Sequence, residues 1–231
     1  MTQTPFYTRL KKRGKIIISG ADRKDFIQNL MSNDINLLNT QACIYSCLLT
    51  PQGKFLYDFF ITEEKDTLTL ECEGDDRTED LAKILTMYKL RANITIEINK
   101  DVTTYAIIGD DTFGDKDPRH IDMGYRSSTK PTQIPEQPFE YWDKHRIALT
   151  IPDGSRDMIP QKSTLLECNI DKLNGLSYEK GCYIGQELTA RMHYRGLAKK
   201  HLQTVRLDTL PDKAELRSSC GDIGIALVKT K

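Results

Sequence analysis

Apolar and polar positions along the chain divide it into short strands and helices. Ile16-Ile17-Ile18, closed by Ser19-Gly20, has the pattern of a short buried strand. Asp22 then stands as a helix N-cap with Asp25 at the capping-box position. The i,i+4 pairs Phe26/Leu30 and Ile27/Met31 carry that helix to about Ser32. Residues 44–49 and 55–61 are β-rich runs on either side of Thr50-Pro51-Gln52-Gly53-Lys54, whose proline and glycine predict a hairpin turn. A strand is expected over 67–72. From 77 to 90, Leu81, Ile84, Leu85 and Tyr88 fall on one helical face. Residues 94–98 alternate as a half-buried strand does, and another strand is expected over 103–108. From 111 to about 141 the chain is polar and carries Pro118, Pro131, Pro135 and Pro138, which predicts a largely irregular connection. Two further strands fit 201–207 and 223–228. Helices and strands intermixed through short hairpins predict an α+β fold, not a doubly wound parallel sheet. No dinucleotide fingerprint, Walker loop or internal repeat is present.

Composition adds limits. The 231 residues are enough for a sizeable core and for one or two domains. With 33 basic against 33 acidic residues, bulk charge argues against a general nucleic-acid binder. The first residues hold no apolar h-region and no run is long enough for a bilayer, so no membrane partner and a cytoplasmic location are expected. Six cysteines are scattered without a C-x-x-C pair. Cys43 and Cys47 lie on one face of an expected strand and read as packing residues, not as half of a zinc site.

One stretch concentrates chemistry: Lys180-Gly181-Cys182-Tyr183-Ile184-Gly185-Gln186-Glu187, running on through Ala190-Arg191 to Tyr194-Arg195-Gly196. Glycines bracket a thiol just ahead of a helix start, and Lys180 two residues earlier adds positive potential that favours thiolate. Arg191, Arg195, Lys199 and Lys200 follow against Glu187 alone, which suggests an anionic ligand or partner. The plainer reading is a buried cysteine in a glycine turn with a solvated basic helix behind it.

This stretch resembles the K-G-C-[FY]-x-G-Q-E signature of the folate-binding YgfZ family. Ser19-Gly20-Ala21-Asp22, Thr50-Pro51-Gln52-Gly53-Lys54 with Asp58, Asp117-Pro118-Arg119 and Gly124-Tyr125-Arg126 are similar to further segments of that family. The resemblance implies a T-protein-like (aminomethyltransferase) fold: two α+β subdomains around a central cleft and a shortened C-terminal β module. It divides the chain into a body of 1–40 with 101–197, an inserted subdomain of 41–100, and a module of 198–231.

The resemblance also implies function: a tetrahydrofolate-binding accessory protein, more an assembly factor than an enzyme, for maturation or repair of iron–sulfur proteins. Its ligand would be tetrahydrofolate or a one-carbon derivative, and its partners iron–sulfur carrier or client proteins. Cys182 would be the working thiol, as a redox group, a nucleophile or one ligand of a cluster shared with a partner, and Lys180 its thiolate-stabilising neighbour. Asp58, Arg146, Tyr183, Gln186, Glu187, Arg191 and Arg195 are the candidate folate contacts. Where aminomethyltransferases carry a pterin-binding glutamate this chain has Pro152, and of their paired aspartates only Asp58 remains. A folate-dependent one-carbon transferase, with Asp58 as its acid–base group, is the alternative. A third reading treats the basic segment purely as a docking surface.

Overall fold

The computed structural model describes residues 4–10, 12–73 and 76–229. Its centre is a five-stranded antiparallel sheet of β2 (Arg13–Ser19), β3 (Cys43–Leu49), β4 (Phe55–Glu64), β5 (Thr67–Glu73) and β6 (Thr95–Asn99), in the order β3-β4-β5-β2-β6. Every residue of β3 is buried, because both of its faces are covered. Ile44 and Leu48 point into a core closed by α1 (Arg23–Gln28) and α2 (Asp76–Lys89), alongside Ile16, Ile18, Leu81 and Leu85. Cys43, Tyr45, Cys47 and Leu49 point the other way, so the two early cysteines are packing residues on one face.

That second core is shared with a four-stranded sheet, β1-β7-β9-β8, made of β1 (Phe6–Leu10), β7 (Thr104–Ile108), β8 (Asp115–Lys116) and β9 (Tyr125–Ser127). It also takes in α3 (Phe139–Ala148) and the segment that carries Ile151, Met158, Leu165, Cys168 and Ile170. A three-stranded module of β10 (Lys200–Arg206), β11 (Glu215–Cys220) and β12 (Ile223–Lys229) closes it through Leu202 and Ile225.

Several expectations change. The division at residue 40 fails because β2 and α1 belong with the sheet and core of 41–100; only β1 joins the later body. The first helix stops at Gln28, since the chain is then drawn into pairing with β3: Ser32 N donates to Cys47 O at 2.9 Å. The Asp22 carboxylate does not cap that helix but accepts from Asn93 N at 2.7 Å. β6 is an exposed edge, not half-buried. The proline-rich connection contains β8 and β9, and α3 begins directly after Pro138. No helix among the described residues is long and apolar enough to cross a membrane.

Candidate functional site

The signature stretch packs against two elements. On one side lies the β3–β4 turn, closed by Gly53 N to Thr50 O and Thr50 N to Lys54 O, each 2.8 Å. Gly185, at φ +81°, comes so close to this turn that a Cβ on it would meet Thr50 O at 2.5 Å. Gly53 answers it at φ +75°, where a Cβ would meet the Leu188 Cβ at 2.6 Å. These are backbone conformations that glycine adopts at little cost. The chain then enters α5 (Gln186–Tyr194), with Gly185 as its N-cap.

On the other side lies the end of α1. Ser177 N donates to Ser32 O at 3.0 Å and Ile184 N to Asn29 O at 3.2 Å. The Lys180 ammonium donates to Gln28 O, Met31 O and Asn33 O at 2.6, 2.7 and 2.8 Å. Lys180 is buried, and its Nζ sits 5.0 Å from the Tyr183 ring centroid. The expectation that Lys180 serves the Cys182 thiolate therefore meets a different placement, with its charge taken up by three carbonyls.

Cys182 itself is exposed, while Cys43, Cys47, Cys72 and Cys168 are buried. Burial pushes the thiols of Cys43 and Cys168 up to about 12, which leaves them protonated and inert at neutral pH. Glu187, Arg191, His193 and Arg195 are exposed alongside Cys182, and Gln186 is half-buried. Tyr183 is buried, and that burial pushes its hydroxyl up to about 12 despite a hydrogen bond with Thr189. His193 stacks on Tyr178, ring centroids 3.9 Å apart, which is a packing role.

A cavity of about 470 Å³ lies elsewhere, lined by Arg13, Glu73, Phe139, Trp142, Asp153 and Arg156 among others. Phe139 and Trp142 form its aromatic wall, ring centroids 5.3 Å apart. The Trp142 indole Nε1–H is buried without a partner among the described residues. Arg156 is held by a two-pronged ion pair with Asp143, at 2.7 and 2.9 Å. Glu73 is pushed up to about 8, first by burial and then by the carboxylates of Asp153 and Asp58, while Ser155 donates to it. Asp153 is held below its ordinary value: burial opposes this, but the bond with Glu73 and the charges of Arg146, Arg13 and Arg156 outweigh it. Glu73 and Asp153 therefore hold one proton between them on the cavity wall.

None of the folate contacts expected from the sequence lines this cavity. Arg146 is fully buried and cannot reach a ligand; it donates to Asp143, Asp157, Ile151 O and Ser218. Asp58 is buried, accepts from the Tyr45 hydroxyl at 2.9 Å and is walled off by Gly154, on which a Cβ would lie 1.7 Å from Oδ1. Burial, the largest influence, raises the Asp58 pKa, with Arg13 pulling against it. Sequence reasoning missed Glu73, Trp142, Asp153 and Arg156. The usable signals were the single tryptophan and the acid beside Pro152, one residue from the position already weighed.

No family model matches the chain. Among curated proteins it is similar to the human mitochondrial iron–sulfur cluster assembly factor IBA57, 30% identical over 95% of this chain and 76% of that protein. The mouse protein is 28% identical over 96% of this chain and 77% of its own length. The Mycosarcoma maydis homologue is 30% identical, with 84% of this chain covering 55% of it. Among solved structures the fold matches the glycine cleavage system aminomethyltransferase T of Bartonella henselae, with a TM-score of 0.71 over 99% of this chain and 79% of that one. At 12% identity that likeness shows the fold, which is the α+β T-protein-like one. The cytoplasmic expectation is corrected by the relatives, each of which is named as mitochondrial. Absence of an h-region bears on secretion alone, since mitochondrial import reads a different kind of segment. Thirty per cent identity across three quarters of the human protein makes this chain a member of the IBA57 family of iron–sulfur cluster assembly factors.

Proposed function

We propose that the chain is an accessory factor in the maturation of iron–sulfur proteins, presenting the Cys182 thiol to a cluster-bearing partner and binding a tetrahydrofolate in the Trp142 cavity. The observation that carries the reading is the exposed sulfur of Cys182, set between two backbone anchors on the segment just after α1. Thiolates suit iron, but a cluster takes four ligands, so one exposed cysteine needs a partner protein to supply the others. The cluster is cargo here. Arg191 and Arg195 lie exposed on the following helix, where they can meet acidic groups of that partner.

The cavity suits a reduced folate in size and chemistry. Its aromatic wall would take a pterin face, and the unpaired Trp142 Nε1–H would find an acceptor. Glu73 and Asp153, with one proton between them, would accept from and donate to the pterin edge. Arg13 and Arg156 would favour the glutamyl carboxylates. When bound, the group supplies one-carbon or reduced-pterin chemistry. Against the transferase alternative stands the position of Asp58, hydrogen-bonded to Tyr45 behind Gly154.

Two measurements test the halves separately. Cells depleted of the endogenous factor are complemented with wild type or Cys182→Ser, and a [4Fe–4S] enzyme is assayed. Loss of one ligand is expected to lower rescue by about tenfold or more; full rescue by the serine variant sinks the thiol role. Trp142 is the only tryptophan, so its fluorescence reports the cavity directly. Tetrahydrofolate is expected to quench it in wild type and Cys182→Ser, and more weakly in Glu73→Ala. A flat titration in wild type overturns the folate half.

A further inference from the structure

A Cβ placed on Gly181 would meet nothing within 4 Å among the described residues, so the position before the thiol is not held by side-chain packing. Beyond the packing of Gly185 on the β3–β4 turn and the buried Tyr183, what holds the loop is its attachment to residues 28–33. α1 is only six residues long, and a helix this short is marginal by itself. Its end leaves carbonyls without intrahelical partners. Lys180 supplies a partner to one of them and to two carbonyls just past the helix: an ammonium has three N–H donors, and all three are used on Gln28 O, Met31 O and Asn33 O, which converge on it. The nearby carboxylate, Asp34, is already engaged by Gln28 Nε2 and Asn36 N, both at 2.9 Å.

We infer that Lys180 is a positioning residue, whose ammonium ties the end of α1 to the signature loop and so fixes where the Cys182 sulfur is presented, without activating the thiol. This rests on the reading of Cys182 as the working thiol. Arginine cannot replace it, because a planar guanidinium fork does not fit a tripod of converging carbonyls. The groups facing the ammonium are Asp34 on the turn after α1 and Tyr183 on its own loop. Burial pushes the Lys180 pKa down to about 8, against a smaller opposing pull from Asp34.

The test uses the full chain without a cluster or partner. In Lys180→Met and Lys180→Arg, the pH midpoint of Cys182 alkylation, followed by peptide mapping, is expected to stay where wild type has it. Amide exchange over 29–33 and 180–184 is expected to accelerate by about tenfold, the equivalent of about 1.4 kcal/mol of local opening. A midpoint raised by about one unit or more with exchange unchanged would mean that Lys180 activates the thiol, and the inference would fall. No change in either readout would overturn it too. If the variants do not fold, wild type alone decides: the amides of 29–33 and 180–184 should open together with matching protection, and a 180–184 loop that exchanges freely while 29–33 stays protected defeats the proposal. These readouts need no active cluster transfer. Full rescue by Cys182→Ser would therefore defeat the functional reading of the thiol and leave the Lys180 result standing.

Discussion

Residue types alone could not separate a ligand-binding arginine from a structural one, and Arg146 shows why. Its guanidinium donates to Asp143 at 2.7 Å, Asp157 at 2.6 Å, Ile151 O at 3.1 Å and Ser218 at 3.0 Å, with no exposure. It joins α3 to the segment after it and to β11 of the C-terminal module. Removing it leaves two buried carboxylates short of a counter-charge. Arg146→Met is expected to cost about 3–5 kcal/mol in urea unfolding, the usual result of breaking a buried pair from one side. Tetrahydrofolate affinity of the fraction that stays folded should be unchanged; a weakened affinity with stability intact would return Arg146 to the ligand. Glu73 illustrates the converse: an acid at the end of a strand carries no signal in the sequence, and only the approach of Asp153 and Ser155 from about eighty positions away makes it part of a site.

Elements were readable in the sequence where their own pattern decided them. β3, β4, β5 and α2 follow from apolar runs and helical spacing, and the turn between β3 and β4 from its proline and glycine. β1 and β11 were missed because Phe6–Leu10 and Glu215–Cys220 mix polar and apolar residues, and they become strands by pairing with β7 and β12. The signature motif was legible as a motif, but its meaning splits on inspection: Cys182 is exposed as the reading requires, while Lys180 and Tyr183 turn inward. Its Gly185 works at the scale of elements, joining α5 to the β3–β4 hairpin. Gly185→Ala puts a side chain at positive φ and against Thr50 O, so a loss of about 2 kcal/mol or more is expected. Thermal unfolding measures the loss, and faster exchange in α5 and the 50–54 turn would place it at this contact. Unchanged stability would mean that the hairpin gives way freely.

For the molecule as a whole, one carboxylate ties the central sheet to the second sheet. Glu71 on β5 is bound by Arg126 of β9, by Arg13 Nε of β2 at 3.0 Å and by the Thr104 hydroxyl of β7 at 2.9 Å. Arg126 also lies over the Phe60 ring at 3.7 Å, in the layer between the sheets. Burial pushes the Glu71 carboxyl up, but the two guanidiniums and Thr104 outweigh it and bring it down to about 2. Against an ordinary value of 4.5 in the unfolded chain, this acid contributes on the order of 3 kcal/mol to folding at neutral pH. Because the folded value is the lower one, that contribution is complete above 4.5 and is lost as pH falls towards 2. Glu71→Gln should therefore be less stable than wild type at pH 7, and the gap between them should close on acidification through that window. Urea midpoints at several pH values measure it; a gap that is constant with pH would mean that the ion pairs do not join the sheets energetically. Arg13 also lines the Trp142 cavity, so the same substitution frees a cation beside the proposed folate site. Tighter quenching by tetrahydrofolate than by its form lacking the glutamyl carboxylates, enhanced in Glu71→Gln, would show that the joint between the sheets and the ligand cavity draw on one guanidinium.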